Sequence, residues 1–277
     1  MKAIGKHKAV GVCALVVATG LFAAGCDARR AVLNTDDLDR GLILLLPGID
    51  GRGLGNDIAA HTLCDEHVGM AVEIYDWTRP FSLLGNQTDV EENHRAAAQL
   101  ARRIAAYHRE HPGRPVWLIG HSGGTAIAVW AAEALPAGEQ VEGIVLLASS
   151  LSPTYGLGTA MGRTRQGIVS FHSDRDSALL GVGTSLFGTM DGRRCESAGK
   201  VGFHGPGGGR LRQVAWRPEM ARAGNDGGHF GCLAGGFVSR YVAPLLRSGG
   251  WDAQLPTTVR QGTAAVRTTA MADVAME

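Results

Sequence analysis

The chain lacks a charge bias. Among its 277 residues, 27 Lys and Arg stand against 26 Asp and Glu, for a formal net charge of +1. That balance gives no basic surface for a nucleic acid and no pull on strongly acidic partners. No internal repeat runs along it, which excludes solenoid and propeller architectures. The five cysteines and ten histidines show no zinc-site spacing, so no metal is expected. Long apolar runs are also missing, with one exception at the N-terminus. Ala9 to Ala24 is uncharged and apolar, but too short to cross a bilayer comfortably. Glycine is what abounds: 40 residues, clustered after residue 150, where loops are expected to dominate.

The apolar exception follows a basic stretch, Met1 to Lys8, and ends in Leu21-Phe-Ala-Ala-Gly-Cys26. A basic n-region and a short apolar h-region mark an export signal. Its end resembles a bacterial lipobox, with Ala23 where Leu is usual. The resemblance implies cleavage before Cys26 and a lipid on its thiol, leaving an exported lipoprotein tethered to a membrane. An ordinary secretory signal or an uncleaved anchor would use the same residues. The expected boundaries are a signal peptide over 1–25, a lipidated Cys26 with linker over 26–40, one folded domain over 41–247 and a disordered tail over 248–277. Of the remaining cysteines (Cys64, Cys195 and Cys232), an oxidising compartment would allow one disulfide and one free thiol, with Cys195–Cys232 as one pairing.

Gly41–Leu46 is a continuous apolar run, as for a strand buried on both faces of a parallel sheet. Similar strands are expected over 70–75, 115–119, 141–148, 167–172 and 211–216. Helices are expected over 56–67, from Thr88 to His111, over 125–134 and over 231–246. Thr88-Asp-Val-Glu91 reads as a capping box, and Pro112-Gly113 as a helix stop. Strands alternating with helices imply a mainly parallel sheet in a three-layer α/β/α arrangement, with ligands at the C-terminal ends of the strands. Only about eighteen residues separate the 141–148 and 167–172 strands, too few for a large cap domain.

The strongest chemical signal is Gly120-His121-Ser122-Gly123-Gly124. A buried strand precedes it and a helix of strong formers follows. Strand, G-x-S-x-G and helix together define a nucleophile elbow, in which Ser122 stands on a strained turn. Gly120 and Gly124 remove side chains that would strike the neighbouring strand and helix. The following helix aims free N–H groups and its positive dipole end at an oxyanion.

From about residue 40 to 247 the chain resembles the α/β-hydrolase superfamily, as a minimal member of esterase or lipase type. The resemblance rests on the elbow, on the Gly-rich turn Pro47–Gly55 and on the order Ser…Asp…His. It implies a base near the C-terminus. His229 in Gly227-Gly-His-Phe-Gly231 occupies that place, whereas His204 precedes the last strand. For the acid, Phe171-His-Ser-Asp-Arg-Asp176 resembles the family's H-G-x-x-D turn, with Ser173 replacing Gly. Asp176 falls on the acid and Asp174 is its rival. Pro47-Gly48-Ile49 resembles the family's His-Gly turn, which implies an oxyanion hole of the Gly123 and Ile49 N–H groups. Asp50 is expected in solvent, and Asp76 and Trp77 are expected to line the substrate pocket. His121 is read as a packing and hydrogen-bonding residue, and His61, His67, His94 and His108 as surface residues.

The implied activity is cleavage of small or lipid-like carboxylic esters through an acyl-enzyme, with no cofactor. Amide or thioester cleavage by the same residues is the neighbouring reading. A cell-surface binding protein that keeps the fold without turnover belongs to a different class.

Overall fold

The computed structural model describes residues 30–176, 188–205, 209–247 and 251. The expected signal peptide, Cys26, residues 177–187 and the tail beyond 251 lie outside them. Seven strands form one sheet in the order β1-β3-β2-β4-β5-β6-β7. They are β1 (Arg30–Leu33), β2 (Leu42–Leu46), β3 (Ala71–Tyr75), β4 (Val116–His121), β5 (Gly143–Leu147), β6 (Ile168–His172) and β7 (Leu211–Ala215). β1 runs antiparallel to β3 at one edge, and every other neighbouring pair is parallel.

The apolar run of β2 is fully buried along its length. Its alternation splits it between two cores. Leu42, Leu44 and Leu46 pack with helices α3 (Val90–Glu110) and α4 (Gly123–Glu133). Ile43 and Leu45 pack on the opposite face with α1 (Leu54–Asp65) and the C-terminal helical segment. A period of two in the strand thus creates the three layers. α3 is amphipathic, burying Asn93, Ala97, Leu100, Ala101, Ile104 and Ala105 along one face. α4 is buried from Gly123 through Ala132, as its apolar composition requires.

The chain steps from β2 outward to β3, then returns across β2 to β4 and continues the other way. The switch point therefore lies between β2 and β4, where an open α/β sheet leaves a crevice. In the register, Leu46 pairs with Gly120, so the turn after β2 and the elbow after β4 emerge side by side.

Five local expectations need correction. The stretch given to a linker contains β1 and a 3-10 turn over Thr35–Asp37, and it is bound to the domain beyond. Tyr107 Oη donates to the Leu38 carbonyl at 2.6 Å, and His111 Nδ1 lies 2.9 Å from Asp39 Oδ1. The cap of α3 is Asp89, whose Oδ1 accepts from Glu92 N, while Thr88 ends a separate short helix, α2 (Leu83–Thr88). The last helix is not uniform. A 3-10 turn over Gly231–Leu233 leads to helix α6, in which Gly235–Phe237 and Ala243–Leu246 flank a π segment, Val238–Val242. Pro244 has no N–H to give and crowds the carbonyl four residues back, which breaks the α pattern there. The proposed Cys195–Cys232 bond is absent: Cys64, Cys195 and Cys232 are free thiols, with Cys195 exposed and Cys232 buried. Finally, Trp251 belongs to the core rather than to a frayed tail. It is 3% exposed, lies 5.9 Å from the Trp117 ring and donates Nε1–H to the Leu245 carbonyl. Trp251→Ala should therefore cost about 3–5 kcal/mol, read as a lowered denaturant midpoint at unchanged slope.

Candidate active site

Ser122 stands between β4 and α4 with φ 50° and ψ −122°, a left-handed conformation that a side-chain-bearing residue adopts only under constraint. The constraints are visible. Ser122 N donates to the Leu147 carbonyl at 3.0 Å. Its own carbonyl accepts from Thr125 N at 3.0 Å, Thr125 Oγ1 at 2.5 Å and Ser150 Oγ at 3.0 Å. Glycine is required on both sides. A Cβ on Gly124 would lie 2.4 Å from the Leu46 carbonyl oxygen, and one on Gly120 would lie 2.6 Å from the Gly124 carbonyl oxygen.

His229 reaches the serine from the loop before the 3-10 turn at Gly231. Its Nε2 is 2.8 Å from Ser122 Oγ, and its Nδ1 is 3.0 and 3.1 Å from the two Asp176 oxygens. With Nδ1–H donating to the carboxylate, Nε2 is left as the acceptor of the serine proton. Asp176 is buried and points at the imidazole; Asp174 is exposed in the turn after β6. Arg175 between them lies over the Trp216 ring at 4.1 Å. His204 is exposed, with its N–H on the Pro153 carbonyl. The structure thus brings Ser122, His229 and Asp176 into one chain of contacts and leaves both rivals outside it.

Gly123 and Ile49 also meet. A Cβ on Gly123 would lie 2.6 Å from Ile49 Cγ2 and 3.3 Å from Ile49 N, so only glycine lets the β2 turn close over the start of α4. Neither N–H has a protein acceptor among the described residues. The turn is braced from behind. Trp77 Nε1 donates to the Pro47 carbonyl at 2.8 Å, and Asn86 Nδ2 donates to the Ile49 carbonyl at 2.9 Å. Asp76 accepts from Arg52 N, Thr78 N and Thr78 Oγ1. Asp76 and Trp77 are thereby placed as supports of the turn, with their polar atoms committed to backbone and neighbouring groups rather than to an open pocket. Asp50 is exposed, as expected.

Asn86, Thr125 and Ser150 support the site without having been anticipated. Ser150 lies in a serine-rich segment after β5, Ser149-Ser-Leu-Ser152. Asn86 carries no local sequence signal. His121 is 1% exposed, packs beside His229 and donates to its carbonyl. His94 is exposed, as expected, and stacks on Trp130 at 4.1 Å, whereas His108 is half-buried and lies 2.5 Å from Glu139. A small cleft lies behind the acid, lined by Asp176, His172, Trp216, Asn225 and Cys232 among others. Among the described residues no group of three His, Cys, Asp or Glu is arranged to hold a metal ion, and no helix is long and apolar enough to cross a membrane.

The strand order and crevice are those of a minimal α/β-hydrolase fold. A family model described as "Alpha/beta hydrolase" matches residues 59–163, from α1 to just past the short helix α5 (Gly158–Gly162). Among solved structures, the chain is similar to Aspergillus fumigatus lipase B at 13% identity and TM-score 0.52, over 80% of this chain and 57% of that one. The chain thus spans little more than half the length of that lipase. It is also similar to a predicted CIB-like hydrolase from Thermoplasma acidophilum, at 16% identity and TM-score 0.45, over 79% of this chain and 91% of that one. The esterase domain of a Rhodothermus marinus protein is 18% identical, with TM-score 0.40, over 74% of this chain and 84% of that one. No curated protein matches the chain.

The elbow's steric demand is testable by contrast. Gly124→Ala should destabilise the protein by about 1–3 kcal/mol or more, because the clash is with backbone. Gly156→Ala, with nothing within 4 Å of the added carbon, should stay within about 1 kcal/mol of wild type. Paired denaturant melts check both.

Proposed function

We propose that the protein is a serine hydrolase that cleaves carboxylic esters through an acyl-enzyme. The observation that carries this reading is the unbroken contact path from Ser122 Oγ through His229 to Asp176, beside two unpaired N–H groups. Ser122 attacks the acyl carbonyl while His229 Nε2 takes its proton, and Asp176 stabilises the imidazolium. The tetrahedral oxygen takes its hydrogen bonds from Gly123 and Ile49 N–H. His229 then protonates the leaving alkoxide as the C–O bond breaks, and next removes a proton from the water that releases the acyl group. The reaction so drawn uses no metal or organic cofactor. Esters are taken over amides and thioesters by fold-level likeness.

The substrate is taken to be a small or lipid-like ester. The chain is further taken to be exported and held at a membrane through lipid on Cys26. Incorporation of a clickable fatty acid, lost in Cys26→Ser, tests the anchor; equal labelling of both chains would reject it.

A fluorophosphonate probe and a series of aryl esters, amides and thioesters test the chemistry. Wild type should label and turn over esters. Ser122→Ala and His229→Ala should lose labelling and about 10⁴-fold or more in kcat/KM. Asp176→Asn should lose at least about 10³-fold, while Asp174→Asn should retain wild-type rates. A folded wild type that neither labels nor turns over any member of the series would reject the hydrolase reading in favour of a binding protein. An amide or thioester preference would reassign the substrate class alone.

A further inference from the structure

The base sits on a segment that should hold it poorly. Gly227, Gly228 and Gly231 surround His229, and glycine loses the most backbone freedom on being fixed. The loop ties its own ends, through Gly227 N to Asn225 Oδ1, Gly228 N to Asp226 Oδ1 and Gly231 N to the Gly228 carbonyl. None of these bonds joins it to the elbow. Yet proton transfer needs His229 Nε2 held at hydrogen-bond distance from Ser122, a residue 107 positions away in the chain.

Two buried groups outside the reacting set converge on one atom, the His229 carbonyl oxygen. His121 Nε2 lies 3.0 Å from it and Cys232 Sγ lies 3.5 Å from it. A carbonyl only accepts, so His121 must carry its proton on Nε2 and Cys232 must be a thiol. Burial, then the neighbouring His229, pushes the His121 pKa down to about 3, so the ring stays neutral. Burial, then the Asp176 charge, pushes the Cys232 thiol up, which keeps its proton in place. A neutral His121 also adds no positive charge beside His229 when that ring becomes an imidazolium. The rings complete the cage. His121 lies 5.1 Å from His229 and 5.5 Å from Phe230, and Phe230 meets His229 edge-on at 5.3 Å.

We infer that His121 and Cys232 are positioning residues: His121 clamps the main chain of the base to the nucleophile elbow, and Cys232 fixes the same carbonyl from within the loop. His121 is the residue immediately before Ser122. The base is therefore attached to two adjacent elbow residues, by its side chain to Ser122 and by its carbonyl to His121. Two attachments on opposite ends of one residue fix the tilt of the imidazole as well as its distance. Cys232 holds the same carbonyl from the following 3-10 turn. This clamp rests on the proposed hydrolase reading for its catalytic meaning, but its hydrogen bonds exist apart from it.

The test uses His121→Phe, which keeps a ring and removes the donor, together with Cys232→Ala, Cys232→Ser and the His121→Phe/Cys232→Ala double variant. His121→Phe should lower kcat and the fluorophosphonate labelling rate about 10–100-fold, with KM changed less than about 3-fold. Cys232→Ala should lower kcat about 3–10-fold, and Cys232→Ser, which keeps a donor, should recover most of it. The double variant should lose less than the product of the two single losses, because both act on one atom. Nitrogen NMR of wild type should show His121 as the neutral Nε2–H tautomer at pH 7. A His121→Phe protein that folds and keeps kcat within about 2-fold, or melts earlier with kcat per folded molecule unchanged, would overturn the clamp. So would a His121 proton on Nδ1. If wild type neither labels nor turns over, the hydrolase reading fails and the tautomer alone decides the clamp: Nε2–H supports it and Nδ1–H overturns it.

Discussion

The structure depends on how closely the start of α4 approaches the end of β2. At Gly124 the backbone lies so near the Leu46 carbonyl that a single added carbon would come within 2.4 Å of it. That approach follows from the sheet order, which leaves β2 and β4 adjacent at the switch point. Close packing there brings Gly123 against Ile49 and lifts Ser122 to the crevice. The strain at Ser122 is met locally by three donors on its carbonyl, from α4 and from the serine-rich segment after β5. Fold, strain and site are one arrangement seen at three scales.

The parts legible in the sequence were those whose physics is local. β2 and β5 are apolar throughout, and β4 as far as Gly120, because helices cover both faces, and such runs stand out. The elbow needs glycines at fixed offsets from one serine, so it too is visible in five residues. His229 and Asp176 were found through chain order and turn pattern, and the geometry brings both to Ser122. The parts that were missed depend on distant partners. β1 is four residues at an edge, and only its pairing with β3 makes it a strand. Thr88 and Asp89 are both acceptable caps, and the contact of Asp89 with Arg79 at 2.8 Å lies in tertiary structure. Asn86 is one polar residue in a short helix, and nothing nearby in sequence announces its bond to Ile49. Cysteine spacing carries no distance at all, so it could not decide whether Cys195 and Cys232 pair, and both are free thiols.

The polar groups around the site divide the labour by burial. Asp176 is buried and aimed at an imidazole, whereas Asp174, two residues away, is solvated. The same turn thus supplies one carboxylate with a fixed partner and one without. Asp76 resembles Asp176 in lying just beyond a strand's C-terminal end, but three donors occupy it and tie it to the loop behind Ile49. A carboxylate at a sheet's C-terminal end is therefore no guide to role until its donors are counted.

The edge strand β1 has a consequence for handling the molecule. β3 is five residues long and fully buried, and its outward hydrogen-bonding edge is covered by β1 alone. A chain begun at Gly41 would keep Ser122, Asp176 and His229, yet it would present β3, apolar but for Glu73, as an open template. Open strand edges recruit strands from other molecules. The four residues of β1 therefore act as a guard against self-association, and the natural point at which to begin a soluble form lies before Arg30.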